Sequence, residues 1–432
     1  MAAKRTKMKL KLRTLHMCDN RRLFIALSSA IVLLKLCLAT LTPLGFDFVY
    51  AVSNVITKNV STSWSPWFIW VRSAYEFWLW LPVDHGDVMR GITDPGLFLL
   101  PSHYLLSAVV KAPLLLSDVV VALLIYRLTL RLRQRENLAR LAVLLWLANP
   151  FATFFIEMWG SMDIILLALS LASVLAALSR VKLSALAVGA GIALRLNPVI
   201  VWLALTAWLI RRKTLRWDLF AVIMAGPLGI FGYLFWISRG QILTSAVEFL
   251  VSSDLLLTYT PFTQTISEYS APFGEVYIFG LATMLVTLFF MIASSIWSSE
   301  DSAIIPLVLS GTLLLYGLAN WFPPAFLWAI PFLAIWNAEN LRSKYPIALY
   351  FALAIFLAVF HSTELTLTSQ SFLFLPLNLV PFGNLLVRGL ESANQLRTTM
   401  NLGLLIQSGL AGVSLAFAGS ITWKSIRGAE HV

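Results

Sequence analysis

Residues 23 to 41, LFIALSSAIVLLKLCLATL, carry one charge, Lys35, in a run long enough to cross a bilayer. Ahead of it stand Lys4, Arg5, Lys7, Lys9, Lys11, Arg13, Arg21 and Arg22. A basic arm followed by about 20 apolar residues reads as a first membrane helix that enters from the cytoplasm. The run is too long and too late for a cleaved secretory signal, so the helix is expected to be retained. Composition extends this reading to the rest of the chain. Of 432 residues 59% are hydrophobic and 12% charged, with mean hydropathy +0.81, which excludes a soluble globular protein. The chain is predicted to be an all-α, polytopic membrane protein.

The net charge of +11 does not point to nucleic acid, because the basic residues sit in a membrane-anchoring arm with no basic-aromatic module beside them. Cys18 and Cys37 are the only cysteines, one in the arm and one in the first helix, so neither a disulfide framework nor a cysteine metal site is available. Asn59-Val60-Ser61 is a sequon in an external loop.

Charge sets the threading. A span over 113 to 130 ends in RLRQRENLAR, whose Arg131, Arg133, Arg135 and Arg140 belong in the cytoplasm. If LFLLPSHYLLSAVV at 97 to 110 crossed separately, those arginines would lie outside, so this stretch is read as re-entrant or surface-lying. By the same logic 183 to 210 divides into two short crossing segments meeting at Arg195-Leu196-Asn197-Pro198, where proline disfavours helix in the residue before it. Further spans are expected near 138 to 156, 163 to 179, 219 to 237, 276 to 296, 303 to 320, 323 to 337, 345 to 361 and 400 to 423. The result is about 12 transmembrane helices with both termini inside and a long first external loop. Of 32 Lys and Arg, 22 fall in cytoplasmic segments and 8 outside, among them Lys58, Arg72, Lys111, Arg195 and Arg239. The acidic WSSED at 297 to 301 falls inside, against the trend. The aromatic stretch WSPWFIWVRSAYEFWLWLP at 64 to 82 is predicted to be a helix in the outer interface, with Arg72 and Glu76 toward water.

Polar groups gather on the external side of this threading: Asp47, the loop VDHGDVMRGITD with Asp84, His85 and Asp87, Glu157 and Asp163 in EMWGSMD, and Arg195 with Asn197. Each has a structural and a functional reading. Asp47 is an interfacial cap or salt-bridge partner, or a working carboxylate. Glu157 and Asp163 are the solvated end of one helix and the first-turn carboxylate of the next, or they line a site. Arg195 pairs with Glu157 or Asp163, or it holds a phosphate with its planar fork. His85 and Asp87 belong to an ordinary polar loop or to a metal site. No Walker, GxGxxG, HExxH or GxSxG motif is present, so nucleotide-driven transport has no visible engine.

The order of several motifs resembles the GT-C glycosyltransferases that use polyprenyl-phosphate sugars, closest to the GPI mannosyltransferase I type and its prokaryotic relatives. These motifs are GFDFVYAVSNV at 45 to 55, Ser65-Pro66-Trp67, KAPLLLSDVVVALL at 111 to 124, ANPFATFFIEMWGSMDIILLALSLASVL at 148 to 175, and ALRLNPVIVW at 193 to 202. The likeness covers about the first 210 residues; NWFPPAFLWAIPFL at 320 to 333 is similar to a late aromatic-proline helix of that superfamily. The chain departs from the pattern in having no second acid beside Asp47 and in reducing a Tyr-Pro-Pro element to Leu100-Pro101-Ser102.

The resemblance implies a basic cytoplasmic arm over 1–22, a catalytic membrane module over 23–237 with its external loop at 43–111, and a C-terminal membrane module over 238–432. It implies an inverting glycosyltransferase, a mannosyltransferase first, that moves a hexose from a polyprenyl-phosphate sugar to a lipid- or protein-linked glycan acceptor on the external or lumenal face. Asp47 is then the general base. Tyr50, Asp87, Glu157, Asp163, Arg195, Asn197 and Arg239 are the expected substrate-binding residues, with Arg195 first and Arg239 second at the leaving phosphate. A divalent cation is the one cofactor left open, with no metal ligands assigned. Expected partners are the lipid donor, the glycan acceptor and membrane lipids, with no nucleic acid, and short loops without an ER-retention signal favour a prokaryotic cell membrane over the ER. The alternative from another class is a secondary transporter or lipid-linked glycan flippase using the break at 195 to 198.

Overall fold

The structure, a computed structural model, describes residues 20–41, 52–53, 55–56, 66–86, 101–238, 274–318, 327–339 and 402–430. Within these residues every regular element is helical. The first part of the chain forms α1 (Arg21–Leu41), α2 (Pro66–Trp80), α3 (Pro101–Arg133), α4 (Glu136–Leu147), a short turn (Pro150–Thr153), a π-helical turn (Phe154–Met158), α5 (Asp163–Ala177), α6 (Val181–Leu194), α7 (Val199–Arg211) and α8 (Arg216–Ser238). Then follow α9 (Gly274–Ile296), α10 (Ile304–Leu318), α11 (Ile330–Glu339) and α12 (Leu402–Glu430). Local chemistry sets the ends. Asn20 caps α1 by accepting from the Arg22 and Leu23 amides at 3.1 and 3.3 Å. Asn149 accepts from the Ala152 amide at 2.9 Å with Pro150 at the first helical position, where a missing amide hydrogen costs nothing.

The stretch at 97 to 110 is not a separate re-entrant or surface segment. From Pro101 onward it is the first part of α3, a single helix of 33 residues and about 50 Å. A separate placement of 97 to 110 follows only if each apolar run crosses by itself. One helix longer than the roughly 30 Å hydrocarbon core keeps Arg131 and Arg133 on the same side while its N-terminal turns extend beyond. Pro113 lies inside it and removes one backbone bond. Trp70 of α2 donates its indole N–H to the nearby Val110 carbonyl at 3.0 Å, fixing α2 against this part of α3. The expected α2 helix is present, with Arg72 and Glu76 paired at 2.8 Å on its exposed face.

The run at 138 to 156 is not straight: α4 and the Pro150–Met158 segment meet at 47°. The expected break at 195 to 198 is present between α6 and α7. α5 and α6 run antiparallel, because Arg195 at the end of α6 reaches Asp163 at the start of α5. α7 returns to the opposite end, where Trp208 donates to the Glu300 carbonyl at 3.1 Å, Arg211 to the Trp297 carbonyl at 2.8 Å, and Arg212 pairs with Asp301 at 3.1 Å. WSSED is thus acidic because it neutralises that end's arginines. At the same end Arg133 and Glu339 form a two-pronged pair, both contacts 2.6 Å, and Arg140 lies over the Phe24 ring at 5.9 Å. Lys424 of α12 lines a polar cavity of about 700 Å³ with Arg133, Arg135, Glu300 and Glu339. The basic end of the molecule therefore gathers α1, α3, α4, α7, α11 and α12.

A continuous apolar core joins these elements, with α11 buried from Ile330 to Ala338. α6 and α8 approach so closely that a Cβ on Gly229 would stand 2.8 Å from the Gly189 carbonyl oxygen. Among the described residues, two helices are long and apolar enough to cross a membrane, α1 and the Ser102–Arg133 part of α3, and the bent pair at α4 makes a third if it acts as one span. α5, α6 and α7 are apolar but only 15, 14 and 13 residues long, about 20 Å each. Among the described residues these lengths give two full spans, or three with the bent pair.

Candidate functional site

The end opposite the arginines carries the expected polar residues, and the structure divides them into two groups. Asp163 opens α5, buried, with its carboxylate 2.7 Å from Nη1 of Arg195. The position favours a negative charge, since the first turn of a helix presents unpaired amides. Arg195 follows α6 in extended backbone and keeps 34% of its side chain exposed, so the guanidinium is accessible from outside while Asp163 orients it. Of the readings open for Arg195, pairing with Asp163 is the one observed. Asn197 is half-buried in the same break, and Tyr233 of α8 lies within electrostatic reach of the Arg195 charge. Asp47, Tyr50, Asp87 and Arg239 lie outside the described residues.

Beside this pair is an apolar cleft of about 440 Å³ between α2, α3, α5 and α6. Trp67 and Trp70 line it from α2, Pro113 and Leu116 from α3, Met162 and Leu194 from the two chain ends that precede Asp163 and Arg195. A greasy slot lined by the residues immediately before Asp163 and Arg195, with a partly exposed guanidinium one residue on, suits an amphiphile that has an anionic head. The turn leading to Asp163 is fixed by Gly160, whose φ of 85° is a conformation that side chains resist.

Glu157 is not at a solvated rim. It is fully buried and lies 3.2 Å from the ammonium of Lys35, which also contacts Asp118 at 2.8 Å. Trp146 donates its indole N–H to the other Asp118 oxygen at 2.7 Å, and Lys35 sits 6.0 Å from the centre of that ring. Lys111, counted from the sequence among the external cations, is also buried, donating to the backbone carbonyls of Glu157 at 3.0 Å, Met158 at 3.1 Å and Ala39 at 3.4 Å. Asp118 lies near the middle of α3 and Lys35 in the second half of α1. Ionisable groups thus extend inward from the rim, contrary to the expectation that they stay there. The signal was available: Ser107, Lys111 and Asp118 recur at i, i+4 and i+11 on one face of a helix, and a lone lysine in an apolar run calls for a partner.

Asp163, Asp118 and Glu157 each face a cationic side chain. Among the described residues no group of three or more His, Cys, Asp or Glu is placed to hold a metal ion. His85 docks the 81–86 loop: its Nε2 lies 2.8 Å from the Trp78 carbonyl, its ring meets the Trp78 ring edge-on at 4.6 Å, and its own carbonyl is 3.0 Å from Nε2 of His103. No family model, no curated protein and no solved structure matches the chain, so the likeness to the GT-C transferases stands on its motifs alone.

Proposed function

We propose that the protein is an integral, multi-pass membrane glycosyltransferase of the GT-C kind, and that it moves a hexose, mannose first, from a polyprenyl-phosphate sugar to a lipid- or protein-linked glycan acceptor. The observation that carries this reading is the Arg195–Asp163 pair, whose preceding residues Leu194 and Met162 line the apolar cleft walled by Trp67, Trp70, Pro113 and Leu116. In the reaction Asp47 takes the proton of the acceptor hydroxyl, that oxygen bonds to the anomeric carbon from the face opposite the phosphate, and the bond from carbon to phosphate oxygen breaks with inversion. Arg195 stabilises the negative charge that grows on the departing phosphate. The prenyl chain occupies the cleft. The energy is stored in the donor, so no nucleotide site is required.

The gathering of Phe24, Arg140 and Lys424 at the basic end supports an even number of passes with both ends of the chain in the cytoplasm, and a twelve-crossing layout in a prokaryotic cell membrane is our reading of the topology. A second reading, a secondary transporter or flippase, is favoured by one observation: the buried Lys35–Asp118–Glu157 cluster reaches the depth where transporters bind coupling ions. The two separate directly. Purified protein in detergent is offered a panel of polyprenyl-phosphate hexoses with glycolipid acceptors, and products are read by mass spectrometry. Turnover in detergent supports the transferase. Movement of the intact lipid only in sealed vesicles, with no new glycosidic product, supports the transporter and overturns the transferase.

A further inference from the structure

The last carbonyls of a helix have no partner within it and must find one elsewhere. α1 and the π-helical turn both end at the end of the molecule opposite the arginine cluster, and one side chain from a third element serves both. Among the described residues the Lys111 ammonium donates to the carbonyls of Ala39 at 3.4 Å, two residues before the end of α1, and of Glu157 and Met158 at 3.0 and 3.1 Å, the last two residues of the π-turn. Ser107, one turn earlier on α3, donates to the same Ala39 carbonyl at 2.8 Å. A cation is also the charge that helix C-termini favour.

The two capped segments lead directly to the proposed chemistry. Six residues beyond Leu41 is Asp47, and five beyond Met158 is Asp163. Even fully extended, these connections reach no more than about 20 Å, so the anchoring point of each limits where each carboxylate can stand. α3, which supplies Lys111, also supplies Pro113 and Leu116 to the cleft. We propose that Lys111 is a positioning residue: its ammonium ties the end of α1 to the end of the π-turn and so sets the distance between the segment bearing the base and the turn that orients the phosphate-binding arginine. The catalytic consequence rests on the transferase reading; the tie itself does not.

The test uses the full chain in a Cys18→Ser/Cys37→Ser background, with spin labels on cysteines at positions 41 and 162 and distances read by electron resonance. Transfer kinetics are measured in parallel with polyprenyl-phosphate mannose on unlabelled protein that retains Leu41 and Met162. The variant is Lys111→Met with Glu157→Gln, which removes the three donations without leaving a net buried charge. The expected result is a broadened or shifted distance distribution, with kcat down about 10²-fold, the size expected of a displacement near 1 Å, and donor KM within about twofold of the parent. A folded variant with the parent's distance distribution and the parent's kcat overturns the proposal. A broadened distribution in a protein whose parent shows no transfer supports the tie and removes the transferase reading alone. Should the double variant fail to fold, Lys111→Arg decides. It keeps the charge on a larger head in a fully buried site, so a shifted distance and at least a tenfold lower kcat support the tie, and parent values of both overturn it.

Discussion

The Lys35 ammonium is the hinge of the buried network, and its energetics can be worked from two distances. At 2.8 Å from Asp118 and 3.2 Å from Glu157, with an effective dielectric constant of about 20, the attractions are on the order of 6 and 5 kcal/mol. Desolvation of several kcal/mol for each ion offsets most of this, so the assembled cluster adds little net stability. Breaking it is another matter. Lys35→Met leaves two carboxylates in the interior with Lys111 as their remaining cation, and should destabilise the protein by about 3–5 kcal/mol. Asp118→Asn retains an acceptor for Trp146 but leaves an excess of positive charge. The double variant Lys35→Met/Asp118→Asn removes one charge of each sign, and should lie within about 2 kcal/mol of the parent, so the two changes couple by at least about 2 kcal/mol. The measurement is a double-mutant cycle on reversible unfolding in mixed micelles. Additivity within about 0.5 kcal/mol, or a Lys35→Met variant as stable as the parent, would refute the argument that these groups stabilise one another in the interior.

Four further outcomes follow from the same structure. Asp47→Asn should leave a folded protein that still binds the lipid donor but turns over about 10²-fold more slowly or worse; near-normal transfer removes the base from the mechanism. Arg195→Ala should weaken donor binding and also strand the Asp163 carboxylate, so adding Asp163→Asn should recover stability but not donor binding; recovery of both makes the pair purely structural. Gly229→Ala forces a Cβ to within 2.8 Å of both the Gly189 carbonyl oxygen and the Ile192 Cβ, and should lower stability by about 1–3 kcal/mol, whereas Gly419→Ala on α12, with nothing within 4 Å, should be silent in the same unfolding assay. Cysteines at Ser61 and Gln134, in a background lacking Cys18 and Cys37, should label from opposite sides of the membrane; labelling from one side contradicts the threading.

What the sequence made legible follows the range over which each rule acts. The break at Arg195-Leu196-Asn197-Pro198 and the aromatic helix over 66–80 are local, set by proline and aromatic patterning within a few residues. The length of α3 was misread because helix ends were judged from bilayer thickness, and a helix supported by Trp70 and by Ser107 can continue past the core. Arg195 with Asp163 was one of two pairings the sequence allowed, and only the antiparallel packing of α5 and α6 selects it. Lys35, Asp118 and Glu157 are separated by 83 and 39 residues, so no local rule joins them. The sequence supplied a separate warning for each, an ionisable group where burial demands a partner, and withheld which partner.

That partnership also bears on which of the two functions the fold is built for. A transporter that uses Lys35 and Asp118 must separate them once in every cycle, and the free energy of leaving either one unpaired has to come from a ligand that binds the separated state better. In the described state the two side chains are 2% and 3% exposed, closed in by Trp146 and by Glu157, with no solvent face from which a ligand could begin that exchange. A transferase asks nothing of the pair except that it stay closed, because the groups assigned to its chemistry, Asp47 and Arg195, are not members of the cluster. The charge-neutral pair Lys35→Met/Asp118→Asn therefore acts in opposite directions on the two readings. It deletes the ions a coupling mechanism would need, yet leaves Asp47, Arg195 and the Trp67–Trp70 cleft untouched, so transfer that survives in it identifies the buried cluster as scaffold.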